Sequence, residues 1–285
     1  MNYASDQVLE PVAAEMELLL ARLNRAEVHS ETFGHVWETY LDSRPHRLGR
    51  EKGPDGTVIL RLLRLHPLPV ELSILLGEFL YELRAALDNC LYAVAVITSG
   101  QNPPPEHGRL EWPIRTSASD WASQASRYRS LPEKVVARLE VIQPYNAEIP
   151  GWNSLGLLHE LARVDRHRSA HGIALYLSEL DVRVESRQVE TLYVAPPGLV
   201  DDGEELIRIR VAEGLELSPD IFDVNLEFDV DVSTMQEAIG PSGLPGRPWG
   251  SLDNRLRALV KATREYTSDL VAISAVLASP APHAK

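Results

Sequence analysis

The chain has few of the features that mark several common protein classes. Cysteine occurs once in 285 residues, at Cys90. A single cysteine excludes an internal disulfide framework and a cysteine-based zinc site, and it fits a reducing compartment such as the cytoplasm. No apolar run reaches the roughly 18 to 20 residues needed to cross a bilayer, and the acidic, polar start is unlike a secretory signal. The sequence therefore predicts a soluble cytoplasmic protein that does not associate with a membrane.

Positive charge is also scarce. The chain has 28 lysines and arginines against 41 acidic residues, for a net charge of −13. Residues 201–231 contain eleven acids and two arginines, so −9 of that net charge comes from one stretch. No run of basic residues is typical of a nucleic-acid or membrane patch. Because the acidic field repels a polyanion, we expect no extended binding to duplex DNA.

Hydrophobic periodicity, taken together with local residue composition, separates helices from strands. It predicts helices over residues 11–26, 71–98, 119–126, 132–142, 153–168 and 251–278. It predicts strands over residues 33–41 and 57–65, paired as a hairpin, and over residues 173–185, 188–194, 206–212 and 222–232. The predicted fold class is α+β: a helical bundle with an N-terminal β-hairpin and a mostly antiparallel sheet inserted before the last helix.

The same pattern predicts the domain organisation. We expect residues 1–278 to form a single integrated domain, because the last helix needs the earlier ones to cover its apolar face. Its helical core is residues 71–171 with 251–278, and its β-rich insertion is residues 172–235. Residues 279–285 are expected to be a disordered tail.

Charged residues fall on the apolar faces of two predicted helices. Steps of 100° place Arg84 and Asp88 at the edge of one apolar stripe, and Asp165 and Arg168 in the centre of another. If the helices pack together, Arg84 can face Asp165 and Asp88 can face Arg168. Buried charges are tolerated only when paired and hydrogen-bonded. Two interpretations stay open: a charge-paired staple that fixes helix register, or a group that touches a ligand or a scissile phosphate.

Histidines supply the other candidate residues. His159 and His167 lie on the helix face opposite the apolar stripe, and Arg166 lies five residues before His171. The helix dipole alone favours such cations at a helix C-terminus. Alternatively, Arg166 holds a phosphate while His167 or His171 moves a proton, which cleaves RNA without a metal. These three residues are the candidate catalytic set. No His-Glu-x-x-His or Glu-x-x-His pair occurs, so we expect neither a metal nor a cofactor.

Four segments together resemble a family of uncharacterised bacterial and phage proteins. They are Leu83–Asn89, Trp112–Ile114, Ile142–Asn146 and Leu158–Arg168. The strongest motifs of that family read approximately L-R-S-A-L-D-H and D-K-H-R. The resemblance covers residues 75–168, and it implies that five side chains act as one group: Arg84, Asp88, Asp165, His167 and Arg168.

A helical bundle with an Arg-x4-His pattern is also similar to the HEPN superfamily. That superfamily includes metal-independent ribonucleases of toxin and defence systems and inactive relatives. The similarity implies a groove with Arg166 and His171, often formed across a homodimer, and single-stranded RNA as substrate. Asn89 stands where the first motif would carry a histidine, and an amide cannot shuttle a proton, so catalysis at Arg84 is not expected.

Two functions therefore compete. The first is a binding or interaction module of unknown partner, built around the Arg/Asp/His cluster with His159 beside it. The alternative is a HEPN-like ribonuclease. The sequence leaves open whether the protein is an enzyme.

Overall fold

The chain divides into two compact units. Unit 1 comprises residues 1–32, 75–170 and 236–285, and unit 2 comprises residues 33–74 and 171–235. The computed structural model describes residues 10–53, 56–167, 172–234 and 237–279, without the side chains of residues 164–167 and 245. The expected tail beyond Ser279 lies outside the described residues. That the units form one integrated domain stays a prediction.

The α+β class is confirmed, and most predicted helices are present within a residue or two of their predicted ends. The helices are α1 (Ala13–Asp42), α2 (Val70–Ser99), α3 (Ala118–Gln124), α4 (Glu133–Val141), α5 (Ser154–His167) and α6 (Leu252–Ala278). Ser251 caps α6, since its side chain accepts the N–H of Asn254. Within the described ranges, none of the helices combines the length and hydropathy needed to cross a membrane.

The predicted strand at residues 33–41 is wrong, because α1 continues as a helix to Asp42. One face of α1 has buried or half-buried residues that recur in steps of four and three, the period of a helix that packs along one face. They are Leu19, Leu23, Ala26, Ser30, Phe33, Trp37 and Tyr40. The aromatic and β-branched composition of 33–41 suggested a strand, but the continuous helical stripe decides the conformation.

The strands up to Val232 belong to unit 2, where they form two antiparallel sheets. The four-stranded sheet has the order β1 (His46–Lys52), β2 (Thr57–Arg64), β6 (Glu205–Val211), β4 (Val189–Val194). The three-stranded sheet has the order β5 (Gly198–Leu199), β3 (Ile173–Val184), β7 (Phe222–Val232). One hydrophobic cluster takes buried side chains from both sheets, including Leu62, Leu177 and Ile207. Strands β1 and β2 pair antiparallel. The predicted hairpin is therefore present, with its first strand at His46–Lys52.

Strand β7 has an acidic outer face over most of its length. Asp223, Asn225 and Glu227 are exposed and alternate with half-buried apolar residues. Asp231 departs from this pattern, since it is buried and its Oδ1 accepts the N–H of Val232 at 2.8 Å. A short pair, β8 (Ala238–Ile239) with β9 (Pro245–Gly246), lies in unit 1 before α6 and was not predicted.

Candidate ligand-binding site

One face of α2 forms the wall of a cavity in unit 1. Tyr81, Arg84, Ala85, Asp88 and Asn89 recur at helical spacing and line a space of about 580 Å³. The other lining residues in the described part of the chain are Arg22, Leu80 and Ala162. The adjoining face of α2 carries the predicted apolar stripe, which is fully buried from Leu76 to Val94. The helix therefore anchors itself with one face and presents its Arg/Asp motif to a cavity with the other.

Arg84 places a guanidinium in the wall of this cavity. Only 8% of its side chain is exposed, and its Nη2 lies 3.6 Å from Oε1 of Glu111. The other oxygen of Glu111 lies 3.6 Å from Nη1 of Arg127. Glu111 thus joins a buried arginine to a half-exposed one, which supplies part of the pairing that a buried charge requires. Glu111 precedes Trp112 and was not singled out from the sequence.

Asp88 holds the segment that follows Glu111. Its Oδ1 accepts the backbone N–H of Trp112 at 2.8 Å. On the other side of the segment, the fully buried Gln143 accepts the N–H of Arg115 at 2.7 Å and donates to the carbonyl of Pro113 at 3.1 Å. Trp112 is itself buried. The motif segments Trp112–Ile114 and Ile142–Asn146 are thus held in place by the side chains of Asp88 and Gln143.

Arg22 on α1 completes the cationic side of the cavity and was missed from the sequence. Its Nη1 donates to Oε2 of Glu82 at 2.8 Å, and its guanidinium carbon lies 5.7 Å from the centre of the Tyr81 ring. The side-chain N–H of Asn89 donates to the carbonyl oxygen of Ala85 at 3.2 Å. In this orientation the side-chain oxygen of Asn89 accepts the Nε–H of Arg22 at 3.1 Å. Asn89, which departs from the HEPN pattern, therefore positions an arginine.

Helix α5 reaches the cavity through Ala162. Its predicted apolar stripe is confirmed at Leu157, Leu158 and Leu161, which are buried. The opposite face is exposed at Arg163, which pairs with Glu160 at 2.7 Å. His159 on α5 is half-buried and does not line the cavity.

Several candidate residues at the end of α5 are not tested. Asp165, Arg166 and His167 belong to the helix, but their side chains lie outside the described part of the structure, as do Arg168 and His171 entirely. The pairs Arg84–Asp165 and Asp88–Arg168 and the Arg166/His171 pattern therefore stay predictions.

Cys90 is structural. It is fully buried, and its Sγ lies 3.6 Å from the carbonyl oxygen of Thr267. Burial raises the pKa of the Cys90 thiol far above its usual range, so the reactive thiolate is suppressed. Among the described residues, no group of three or more His, Cys, Asp or Glu is placed to hold a metal ion.

The cavity combines two guanidiniums, a carboxylate, an amide and a phenol. Guanidinium groups bind carboxylates and phosphates through paired, charge-assisted hydrogen bonds. The lining side chains that the structure describes include neither histidine nor cysteine, the side chains most often used for proton transfer or nucleophilic attack at neutral pH. This set is suited to holding an anion.

Comparisons with protein-family models, with curated proteins and with solved structures found no match for this chain. The resemblance to the bacterial and phage family and the similarity to the HEPN superfamily stay predictions.

Proposed function

We propose that this protein is a binding module whose α2 cavity takes a small organic anion. The observation that carries the proposal is Arg84, a guanidinium with 8% of its side chain exposed, in the wall of a cavity of about 580 Å³. Cavities of roughly 300 to 1,000 Å³ are typical of small-molecule sites. A pure register staple accounts for the buried charge but not for the space beside it.

The held position of Arg22 supports the same function. Glu82, Asn89 and the Tyr81 ring all contact its guanidinium. An arginine fixed in this way loses little side-chain entropy when a ligand binds, which favours affinity. Arg22 and Arg84 come from different helices and line the same cavity, so one anion can be held between them.

The finer expectations from the sequence belong with this proposal. We infer a cytoplasmic location from the single cysteine, which is a buried free thiol. The net charge of −13 favours a small anion over extended duplex DNA as the ligand. Bacterial origin follows from the family resemblance alone. A homodimer and single-stranded RNA belong to the HEPN-like ribonuclease alternative.

Isothermal titration with four probes tests the proposal: inorganic phosphate, citrate, benzoate and ribose 5-phosphate. Wild type is compared with Arg22→Gln and with the matched control Arg163→Gln. Both arginines pair with a glutamate, but Arg163 lies on the exposed face of α5. We expect saturable, one-to-one binding of at least one probe. Arg22→Gln loses a charged hydrogen bond worth about 1.5–3 kcal/mol, so its affinity for that probe falls roughly tenfold to a hundredfold. Arg163→Gln binds the probe like wild type.

Two results would overturn the proposal. One is the absence of saturable binding for all four probes. The other is binding that Arg22→Gln leaves unchanged, because the anion would then lie elsewhere. Circular dichroism of each variant verifies that a loss of binding is not a loss of fold.

A further inference from the structure

Tyr81 is an exposed aromatic residue at the rim of the α2 cavity. Its relative exposure is 63%, although it lies one helical turn before the buried Arg84. The guanidinium carbon of Arg22 lies 5.7 Å from the centre of the Tyr81 ring, a cation–π contact. An exposed aromatic ring next to the buried cation Arg84 and the half-buried cation Arg22 offers an apolar contact surface beside an anion site.

The apolar part of the lining extends inward from Tyr81. Leu80 contributes an aliphatic wall, and Ala85 and Ala162 are small residues that leave room between α2 and α5. The rise from Tyr81 to Arg84 along the helix is about 4.5 Å at 1.5 Å per residue. A ligand that contacts both therefore needs an apolar ring within a few bonds of its charged group.

The charges around the cavity favour a ligand with a single negative charge over one with two. Among the described residues, two arginines and one aspartate line the cavity. Each arginine also has an acidic neighbour, Glu82 for Arg22 and Glu111 for Arg84. Two positive and three negative charges among these described residues leave no positive excess to balance a second ligand charge. A carboxylate with one charge is therefore accommodated better than a phosphate monoester with nearly two.

We propose, on the basis of the binding function above, that the ligand is an aromatic monocarboxylate. Its carboxylate lies between the guanidiniums of Arg22 and Arg84, and its ring lies against Tyr81 and the small residues Ala85 and Ala162. The planar carboxylate matches the fork geometry of a guanidinium. The cavity therefore binds the carboxylate at its arginine end and the aromatic ring at its Tyr81 end.

A series of four probes separates the ring from the charge. 3-Phenylpropionate carries both, acetate lacks the ring, 3-phenylpropanol lacks the charge, and phenyl phosphate carries the larger charge. We expect 3-phenylpropionate to bind at least about tenfold more tightly than acetate, because the phenyl group is removed from water. It also binds more tightly than 3-phenylpropanol and phenyl phosphate.

Variants of Tyr81 locate the ring. Tyr81→Ala lowers the affinity for 3-phenylpropionate about threefold to tenfold, the size expected for one aromatic contact. It leaves the affinity for acetate unchanged. Tyr81→Phe keeps the ring and binds within about twofold of wild type. Tyr193→Ala, at an exposed tyrosine of unit 2, is the matched control and has no effect.

The outcomes distinguish this inference from the function on which it rests. If 3-phenylpropionate binds no better than acetate, if Tyr81→Ala has no effect, or if phenyl phosphate binds most tightly, the aromatic monocarboxylate is wrong. In those cases binding of phosphate, citrate, benzoate or ribose 5-phosphate that depends on Arg22 still supports an anion site. If phosphate, citrate, benzoate and ribose 5-phosphate all fail to bind, the proposed function fails, and the inference fails with it.

Discussion

Asp88 accepts the backbone N–H of Trp112 at 2.8 Å, across 24 positions of sequence. This bond fixes the start of the segment that Gln143 holds from its other side. Glu111, the residue just before it, lies beside Arg84. The Arg84/Asp88 motif thus both lines the cavity and holds the segment next to it.

Replacement of Asp88 tests this structural role. Asp88→Ala leaves the buried N–H of Trp112 without this acceptor, so we expect the free energy of unfolding to fall by about 1–3 kcal/mol. Asp88→Asn keeps a side-chain oxygen that can accept this bond, so its free energy of unfolding falls less. Urea unfolding measures both. The control is Asp253→Ala, which removes an exposed partner of Arg257 and changes stability by about 0.5 kcal/mol or less. Equal losses at Asp88 and Asp253 would contradict the assignment.

The surroundings of His46 predict that the stability of the protein depends on pH. Its Nε2 lies 3.3 Å from the hydroxyl of Tyr40, and its ring centre lies 4.9 Å from that of Phe228. Burial first, and the positive charge of Arg64 second, lower the pKa of His46 below its usual value. The folded protein therefore binds this proton less readily than the unfolded chain does.

The sign of the effect follows from that difference. Above about pH 6.5, the usual pKa of histidine, the His46 contribution to stability is fully present. As pH falls further, the unfolded chain takes up the proton first, and the free energy of unfolding decreases until the folded-state pKa is passed. We expect wild type to lose more stability between pH 7.5 and 5.5 than His46→Gln. His35→Gln, at an exposed histidine of α1, keeps the wild-type slope. Identical slopes for wild type and His46→Gln would refute the effect.

A double-mutant cycle tests the predicted pair of Arg84 with Asp165. If the two are paired, Asp165→Ala leaves a buried guanidinium without one partner and costs about 3–5 kcal/mol. Unfolding of Asp165→Asn, Arg84→Gln and the double variant gives the coupling energy between the two side chains. We expect it to be well above the coupling energy of the exposed pair Arg163 and Glu160, which we expect to be below about 1 kcal/mol. A coupling energy near zero would show that Arg84 and Asp165 are not paired.

The ribonuclease alternative has a direct assay. Under that hypothesis wild type cleaves a mixed RNA substrate in the presence of EDTA, because the 2′-hydroxyl is the nucleophile and no metal takes part. Cleavage disappears in His171→Ala or His167→Ala if that histidine carries the proton. His159→Ala, at a half-buried histidine of the same helix region, is the control. Intact RNA with wild type would rule out this activity under the conditions used.

Most of the fold could be predicted because the periodicity is regular. The stripe of α2 is continuous from Leu76 to Val94, and it located that helix to within a residue of each end. The error at residues 33–41 arose because local composition was given more weight than the spacing that runs from Leu19 to Tyr40. Local propensity is a weak guide when a longer packing face sets the conformation.

The site was only half predictable. Arg84 and Asp88 were visible because they are charged residues beside an apolar stripe, and Tyr81 shares their face one turn earlier. Arg22 had no such signal, since its role depends on which residues α1 meets in the folded chain: Glu82 and Asn89 of α2. Glu111 was equally hidden, because a loop held by Asp88 brings it to Arg84. Contacts between distant segments cannot be read from spacing along a single helix.

The most direct test of the central claim is to observe the two arginines while an anion is added. Heteronuclear NMR of the arginine Nε–Hε groups, assigned with Arg22→Lys and Arg84→Lys, is recorded during titration with 3-phenylpropionate and with benzoate. The account predicts saturating shifts at Arg22 and Arg84 and none at Arg163. Shifts that are absent at both cavity arginines, or that rise without saturation at all arginines alike, would contradict it.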